Sequence, residues 1–129
     1  MNPVLLDTHV FVWALAAPER LPAEAWPILR DESRPLRLSV ASAWELSIKV
    51  GLGKIQLPTG ISRFVSEGCR QLEAQLLPIG LAHLERLASL PMHHRDPFDR
   101  MIVAQARTDG LQLLSFDAAL QAYDVDFAA

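Results

Sequence analysis

Five carboxylates, Asp7, Glu45, Asp96, Asp99 and Asp117, stand where strand-like runs give way to helix-like ones. In a parallel α/β sheet such junctions share one edge, so side chains far apart in sequence can meet in one acidic pocket. Packing several ionised carboxylates together costs free energy through mutual repulsion unless a cation offsets it. Hard oxygen ligands without accompanying cysteines suit Mg2+ or Mn2+ better than zinc. Capture of a divalent cation is therefore the chemistry this pattern points to.

Helix capping competes for each acid. Ser42-Ala43-Trp44-Glu45 has the form of a capping box, in which Glu45 reaches back to the amide of Ser42. Asp96-Pro97-Phe98-Asp99 is a good helix start, with Asp96 as N-cap, Pro97 at the first position and Asp99 favoured by the helix dipole. Asp7 and Asp117 can cap the helices after them. Serine, threonine or asparagine would cap as well, yet the helices at the expected strand edge carry acids, whereas the one after Pro58 begins Thr59-Gly60. That bias, with the repulsion, favours a shared pocket.

The elements that must position these acids are legible as alternating strands and helices. Val4-Leu5-Leu6 reads as a strand, and Val10 to Ala16 as a buried helix ended by Pro18. Ala23 to Asp31 is helix-like, with a kink or late start expected at Pro27. Leu36 to Val40 alternates as a second strand, followed by a helix from about Ala43 to Val50 that Gly51 and Gly53 stop. Ile61, Phe64, Val65, Cys69 and Leu72 fall at helical spacing. Gln75 to Ile79 is the expected third strand, Leu81 to Ala88 a helix, Phe98 to about Thr108 another with Gly110 beyond it, and Leu111 to Ser115 the fourth strand. A short helix from Asp117 to Ala122 and a weak edge strand at Val125-Asp126-Phe127 complete the chain. The expected fold is one α/β domain over residues 1–129, a doubly wound parallel sheet of four or five strands flanked by helices.

Half of the 129 residues are apolar and about a fifth charged, the profile of a soluble globular domain. The start carries no basic leader, and the longest apolar run, Val10 to Ala17, is too short to span a bilayer, so a cytoplasmic protein without a membrane partner is expected. The lone Cys69 excludes an internal disulfide and reads as a small buried hydrophobe. A net charge of −3 argues against a polyanion partner, but setting aside the five acids turns it to +2. The cations are ten arginines and two lysines, a composition that permits phosphate recognition. Thr8 beside Asp7, Lys49 four residues after Glu45, and Arg95 and Arg100 around the Asp96–Asp99 turn are candidate substrate contacts. Capping for Thr8, an intrahelical pair for Lys49 and plain surface exposure for both arginines compete with that role. The histidines show no HExxH or HxH spacing, and His93-His94 reads as an exposed loop. Walker, GxGxxG and GxSxG motifs are absent.

In order along the chain, Leu5-Leu6-Asp7-Thr8-His9, Ser42-Ala43-Trp44-Glu45 with Ile48-Lys49 and Gly53-Lys54, His94-Arg95-Asp96-Pro97-Phe98-Asp99-Arg100, and Leu114-Ser115-Phe116-Asp117 resemble PIN-domain ribonucleases, and most closely the VapC-type toxins of toxin–antitoxin pairs. The resemblance runs nearly end to end. It puts the family's acidic quartet on Asp7, Glu45, Asp99 and Asp117, without substitution, and makes Asp96 an auxiliary acid. The tail after Asp117 is short and less familiar. The resemblance implies a PIN-like fold, Mg2+- or Mn2+-dependent endonucleolytic cleavage of single-stranded or looped RNA, and a cognate antitoxin that masks the site; it also allows a homodimer. Asp7, Asp99 and Asp117 are expected to bind metal, and Glu45 to ligate it or orient a water.

Three other readings of the same residues stand beside this one. A receiver-like signalling domain also uses an acidic Mg2+ pocket, but wants adjacent acids after its first strand and a lysine after its last. An aspartate-nucleophile phosphatase wants acids two apart, where this chain has His9. A catalytically silent PIN-like binding module would act through its partner alone.

Overall fold

Strand β1 (Val4–Leu6) has no exposed surface, as the centre of a parallel sheet covered on both faces requires. In the computed structural model of the chain, which describes residues 2–93 and 95–129, β1 lies between β2 (Leu36–Ser39) and β4 (Gln112–Leu114). Strand β3 (Ala74–Leu77) pairs with the far side of β2, so the order is β3-β2-β1-β4 and each pairing is parallel. Register sets Leu6 level with both Leu38 and Leu114. The residues just past those three, Asp7, Ser39 and Ser115, therefore emerge along one edge.

Alternation along β1 sorts the helices into two layers. Val4 and Leu6 enter one core with α1 (Thr8–Ala16), α2 (Ala25–Leu29), α3 (Val40–Gly51) and α4 (Ile61–Leu72). Leu5 enters the opposite core, filled by Leu113, Leu120, Tyr123 and the buried stripe of α6 (Pro97–Asp109), with α5 (Leu81–Ser89) packed on α6. Helix α1 approaches α4 closely at Gly68: a Cβ there would lie 2.4 Å from Leu15 Cδ1 and 2.6 Å from Phe11 Cζ. At the end of α6, Gly110 takes φ +67°, the left-handed conformation that glycine adopts without strain. Among the described residues no helix is long and apolar enough to cross a membrane.

Several boundaries differ from expectation, each for a local reason. Helix α3 starts at Val40, because Ser39 Oγ accepts from the amide of Ala41 and caps it there. Ser42 is thus inside the helix and Glu45 in its second turn, so the capping box does not form. Pro27 falls in the first turn of the short α2, where a missing amide donor costs nothing. Val125–Phe127 contributes a single bridge, Phe127 to Leu113, so the sheet has four strands. Helix α5 follows β3 yet opens on Gly80 and Leu81 without an acid, and α6 is entered from α5 rather than from a strand. Acids accordingly mark the central part of the edge, and the outer strand β3 leads away from it.

Candidate active site

Asp7 is fixed at both ends of its backbone: its amide donates to Leu114 O at 3.0 Å, and its carbonyl accepts from Phe11 at 3.2 Å. It occupies the N-cap position of α1, but its side chain does not cap. Oδ2 instead accepts from Ser115 Oγ at 2.7 Å, and Oδ1, although buried, has no hydrogen-bond partner among the described residues. Burial of this 2 % exposed carboxyl pushes its pKa above 3.8, and the charges of Asp117 and Glu45 push the same way. The Ser115 hydrogen bond and His9 oppose them. An orphaned, desolvated carboxylate oxygen is costly in a structure that only needs a helix start, because a serine would cap without it.

Ser115, buried at the end of β4, joins two acids. While its hydroxyl donates to Asp7, its oxygen accepts from the amide of Asp117 at 3.1 Å. Asp117 in turn caps the 3-10 turn Ala118–Ala122 by accepting from Ala119 N at 2.9 Å.

Glu45 is 2 % exposed and fully engaged. Thr8 Oγ1 is 2.8 Å from both Glu45 Oε1 and Ser42 Oγ. Since a hydroxyl has one proton, Thr8 gives its own to the carboxylate and Ser42 supplies the other. Lys49 Nζ donates to Oε2 at 2.6 Å. Burial, the largest single influence, lowers the Lys49 pKa, but the hydrogen bond and charge of Glu45 together with the charges of Asp96 and Asp99 hold it above 10.5. Asp96 caps α6, its Oδ1 accepting from the amides of Phe98 and Asp99, and Asp99 is buried in the first turn behind it. Trp44 meets Phe98 edge to face at 5.0 Å, tying α3 to α6 beside these acids.

Asp7, Asp117 and Glu45 are electrostatic neighbours, and Lys49 links Glu45 to Asp96 and Asp99. As donors the acids fit a hard cation, and the unpartnered Asp7 Oδ1 offers it a vacant oxygen. Even so, among the described residues no three acidic, histidine or cysteine side chains converge tightly enough to grip a cation as they stand. A cavity of about 190 Å³ opens on Asp7 and Asp117 and is walled by His9, Val10, Trp13 and Phe116.

The candidate substrate contacts fare unevenly. Thr8, 2 % exposed, neither caps α1 nor reaches solvent; it holds Glu45. Lys49 takes the intrahelical pair. Arg100 is neither a rim residue nor a surface one: it is buried and donates to Pro91 O, Leu87 O and Tyr123 Oη, clamping the loop before α6. Arg95 is exposed next to Asp96. His93 is exposed as expected, its ring 5.0 Å from Tyr123, and His94 lies outside the described residues. Sequence reasoning gave no site role to Ser42, Ser115 or the aromatic wall; besides its place in the Leu114–Asp117 motif, Ser115 was signalled by standing two residues before Asp117, the spacing of a serine turn. Cys69 is the buried hydrophobe expected, its thiol pKa raised by burial.

Comparison with known proteins bears on this edge. The model of the PIN domain family matches residues 4–126. The chain is 27 % identical over 126 residues to Ribonuclease VapC22 of Mycobacterium tuberculosis, covering 95 % of this chain and 93 % of that protein. Among solved structures it resembles VapBC2 from Rickettsia felis bound to a DNA fragment from their promoter, with a TM-score of 0.69, 14 % identity, and 96 % and 95 % of the two chains covered. FitAcB from Neisseria gonorrhoeae superposes with a TM-score of 0.62 at 24 % identity over the same shares.

Proposed function

Because the chain belongs to the PIN domain family, we propose that it is a single-domain, metal-dependent endoribonuclease serving as the toxin of a toxin–antitoxin pair in the cytoplasm. The observation that carries the reading is Asp7: a buried carboxylate with one oxygen held by Ser115 and the other vacant, at the sheet edge shared with Asp117 and Thr8-bound Glu45. The ribonuclease similar to it along almost its whole length supports RNA as the substrate, and the VapBC2 complex supports an antitoxin partner. A receiver or phosphatase reading has no comparable support.

Asp7, Asp99 and Asp117 would hold Mg2+ or Mn2+, with Glu45 beside them. A divalent cation bound there supplies Lewis acidity, which makes water a better nucleophile and offsets charge growing on the phosphate. The protein's own residues do the positioning. Ser115 fixes the rotamer of Asp7 so that Oδ1 faces away from its hydrogen bond. Thr8 fixes Glu45 Oε1, leaving Oε2 to the ammonium of Lys49. For Oε2 to take a ligand or orient a water, Lys49 must swing out, and its side chain, 34 % exposed, has room to do so. Until then it balances part of the negative charge of the pocket.

The test is cleavage of single-stranded RNA by the purified chain in Mn2+, followed by chelation. Cutting that stops in excess EDTA and returns with added Mn2+ is the expected result. Equal cutting with and without chelator would exclude the metal mechanism; no cutting of any RNA offered would favour a silent binding module.

A further inference from the structure

The cavity beside Asp7 and Asp117 has a wall unlike its floor. His9, exposed in the first turn of α1, stacks on half-buried Trp13 one turn later, with ring centres 5.4 Å apart and planes 27° from parallel. Half-buried Phe116 faces them from the loop after β4, and Val10 closes the base. Exposed Arg20 extends the surface outward, its guanidinium carbon 5.9 Å from the Trp13 ring centre. A helix that otherwise buries Phe11 and Val12 thus presents stacked rings to solvent directly next to two acids.

We propose that the pocket formed by His9, Trp13 and Phe116 seats one unpaired nucleobase of the RNA, next to the phosphate that is cut. The inference rests on the ribonuclease reading and names a substrate contact for it. Three arguments carry it. A base is uncharged, so it can occupy the aromatic side of the cavity without drawing on the cation that Asp7 and Asp117 would hold for the phosphate. Its planar face matches an aromatic wall, and stacking of this kind tolerates any base. A base paired in a duplex cannot leave its stack cheaply, so the pocket selects single-stranded or looped RNA. Arg20, at the outer end of the wall, then meets the backbone as the strand leaves the pocket.

The experiment pairs a protein deletion with a substrate deletion. Short single-stranded oligoribonucleotides of one cleavable sequence are made intact or with one abasic nucleotide on either side of the cut, and KM and kcat are measured in Mn2+ for the wild type, His9→Ala and Trp13→Phe. His9 is exposed, so its removal leaves the fold intact, which circular dichroism checks. Loss of the stacked base is expected to raise the wild-type KM roughly tenfold at one of the two positions. His9→Ala should raise KM for the intact strand by a similar factor, with the change in KM rather than kcat, and the two losses should not multiply. Trp13→Phe should keep most of the affinity. Unchanged KM in His9→Ala, or penalties that multiply, overturns the base seat. If the wild type cuts none of these RNAs, the nuclease reading itself fails and takes this one with it.

Discussion

Replacing Asp7 by Asn should make the protein more stable and inactive at once. Above its raised pKa the wild-type carboxylate is charged, 2 % exposed, and short of a partner at Oδ1. Asparagine keeps an unpartnered polar atom in the place of Oδ1, at a similar cost of about 1–3 kcal/mol, and forfeits about 1 kcal/mol where the charge-assisted hydrogen bond from Ser115 becomes a neutral one. Against that, it removes a charge that burial, Asp117 and Glu45 all disfavour. The net expectation is a gain of about 1 kcal/mol. For a chain of 129 residues, with an unfolding entropy of about 2.1 cal/mol/K per residue, that raises Tm by about 4 °C. The pH dependence has a definite sign. Burial raises the folded pKa above 3.8, so the native state holds its proton longer than the unfolded chain, and wild-type stability from this group falls as pH rises through that window. The advantage of Asn should therefore be absent below pH 3.8 and grow as pH rises through the raised folded pKa. Thermal scans of both proteins across that range, with and without Mn2+, supply the assay. Mn2+ at a hundred times its Kd should stabilise the wild type by about 2.7 kcal/mol and leave the variant where it was. A variant less stable than its parent at pH 7, or one that Mn2+ protects equally, would refute the reasoning.

Thr8→Val keeps the shape of the side chain but leaves Glu45 Oε1 and Ser42 Oγ without their shared partner; urea denaturation should register a loss of about 2 kcal/mol, and RNA cleavage should fall with it. Arg100→Met retains the stem and deletes the donors to Pro91 O and Tyr123 Oη, so about 2 kcal/mol of stability should go while the salt dependence of RNA binding, measured by filter retention, stays as it was. Gly68→Ala adds a methyl group where Leu15 and Phe11 already stand; overpacking of about 1–3 kcal/mol outweighs the helix preference for alanine of about 1 kcal/mol, and calorimetry should find a lower Tm.

The fold was legible where periodicity is strong. Val4–Leu6, the α4 stripe from Ile61 to Leu72, and Asp96-Pro97 with Gly110 bracketing α6 each state their structure in a short window. What local pattern could not reveal was competition between neighbours. Ser39 and Ser42 are both plausible caps, and only the register of β2 with β1 decides that the chain turns at Ser39. The acids were found as residues but not as roles: Asp96 and Asp117 do cap, as their sequence settings allow, whereas Asp7 does not, because Ser115, 108 positions away, draws its carboxyl aside. Arg100 misled because its buried partners are backbone carbonyls and a tyrosine from distant segments, which no spacing announces.

The middle of the sheet joins segments far apart in sequence: β1 pairs with β4 as Val4 to Gln112 and Leu6 to Leu114, and the amide of Asp7 rests on Leu114. Contacts so remote in sequence close late and slowly. During synthesis the opening strand must wait, one side unzipped, until Gln112–Leu114 has left the ribosome. Asp7 acquires Ser115 only at that moment, so no partial product carries an assembled pocket, and whatever reactivity the edge possesses is withheld until the last strand arrives.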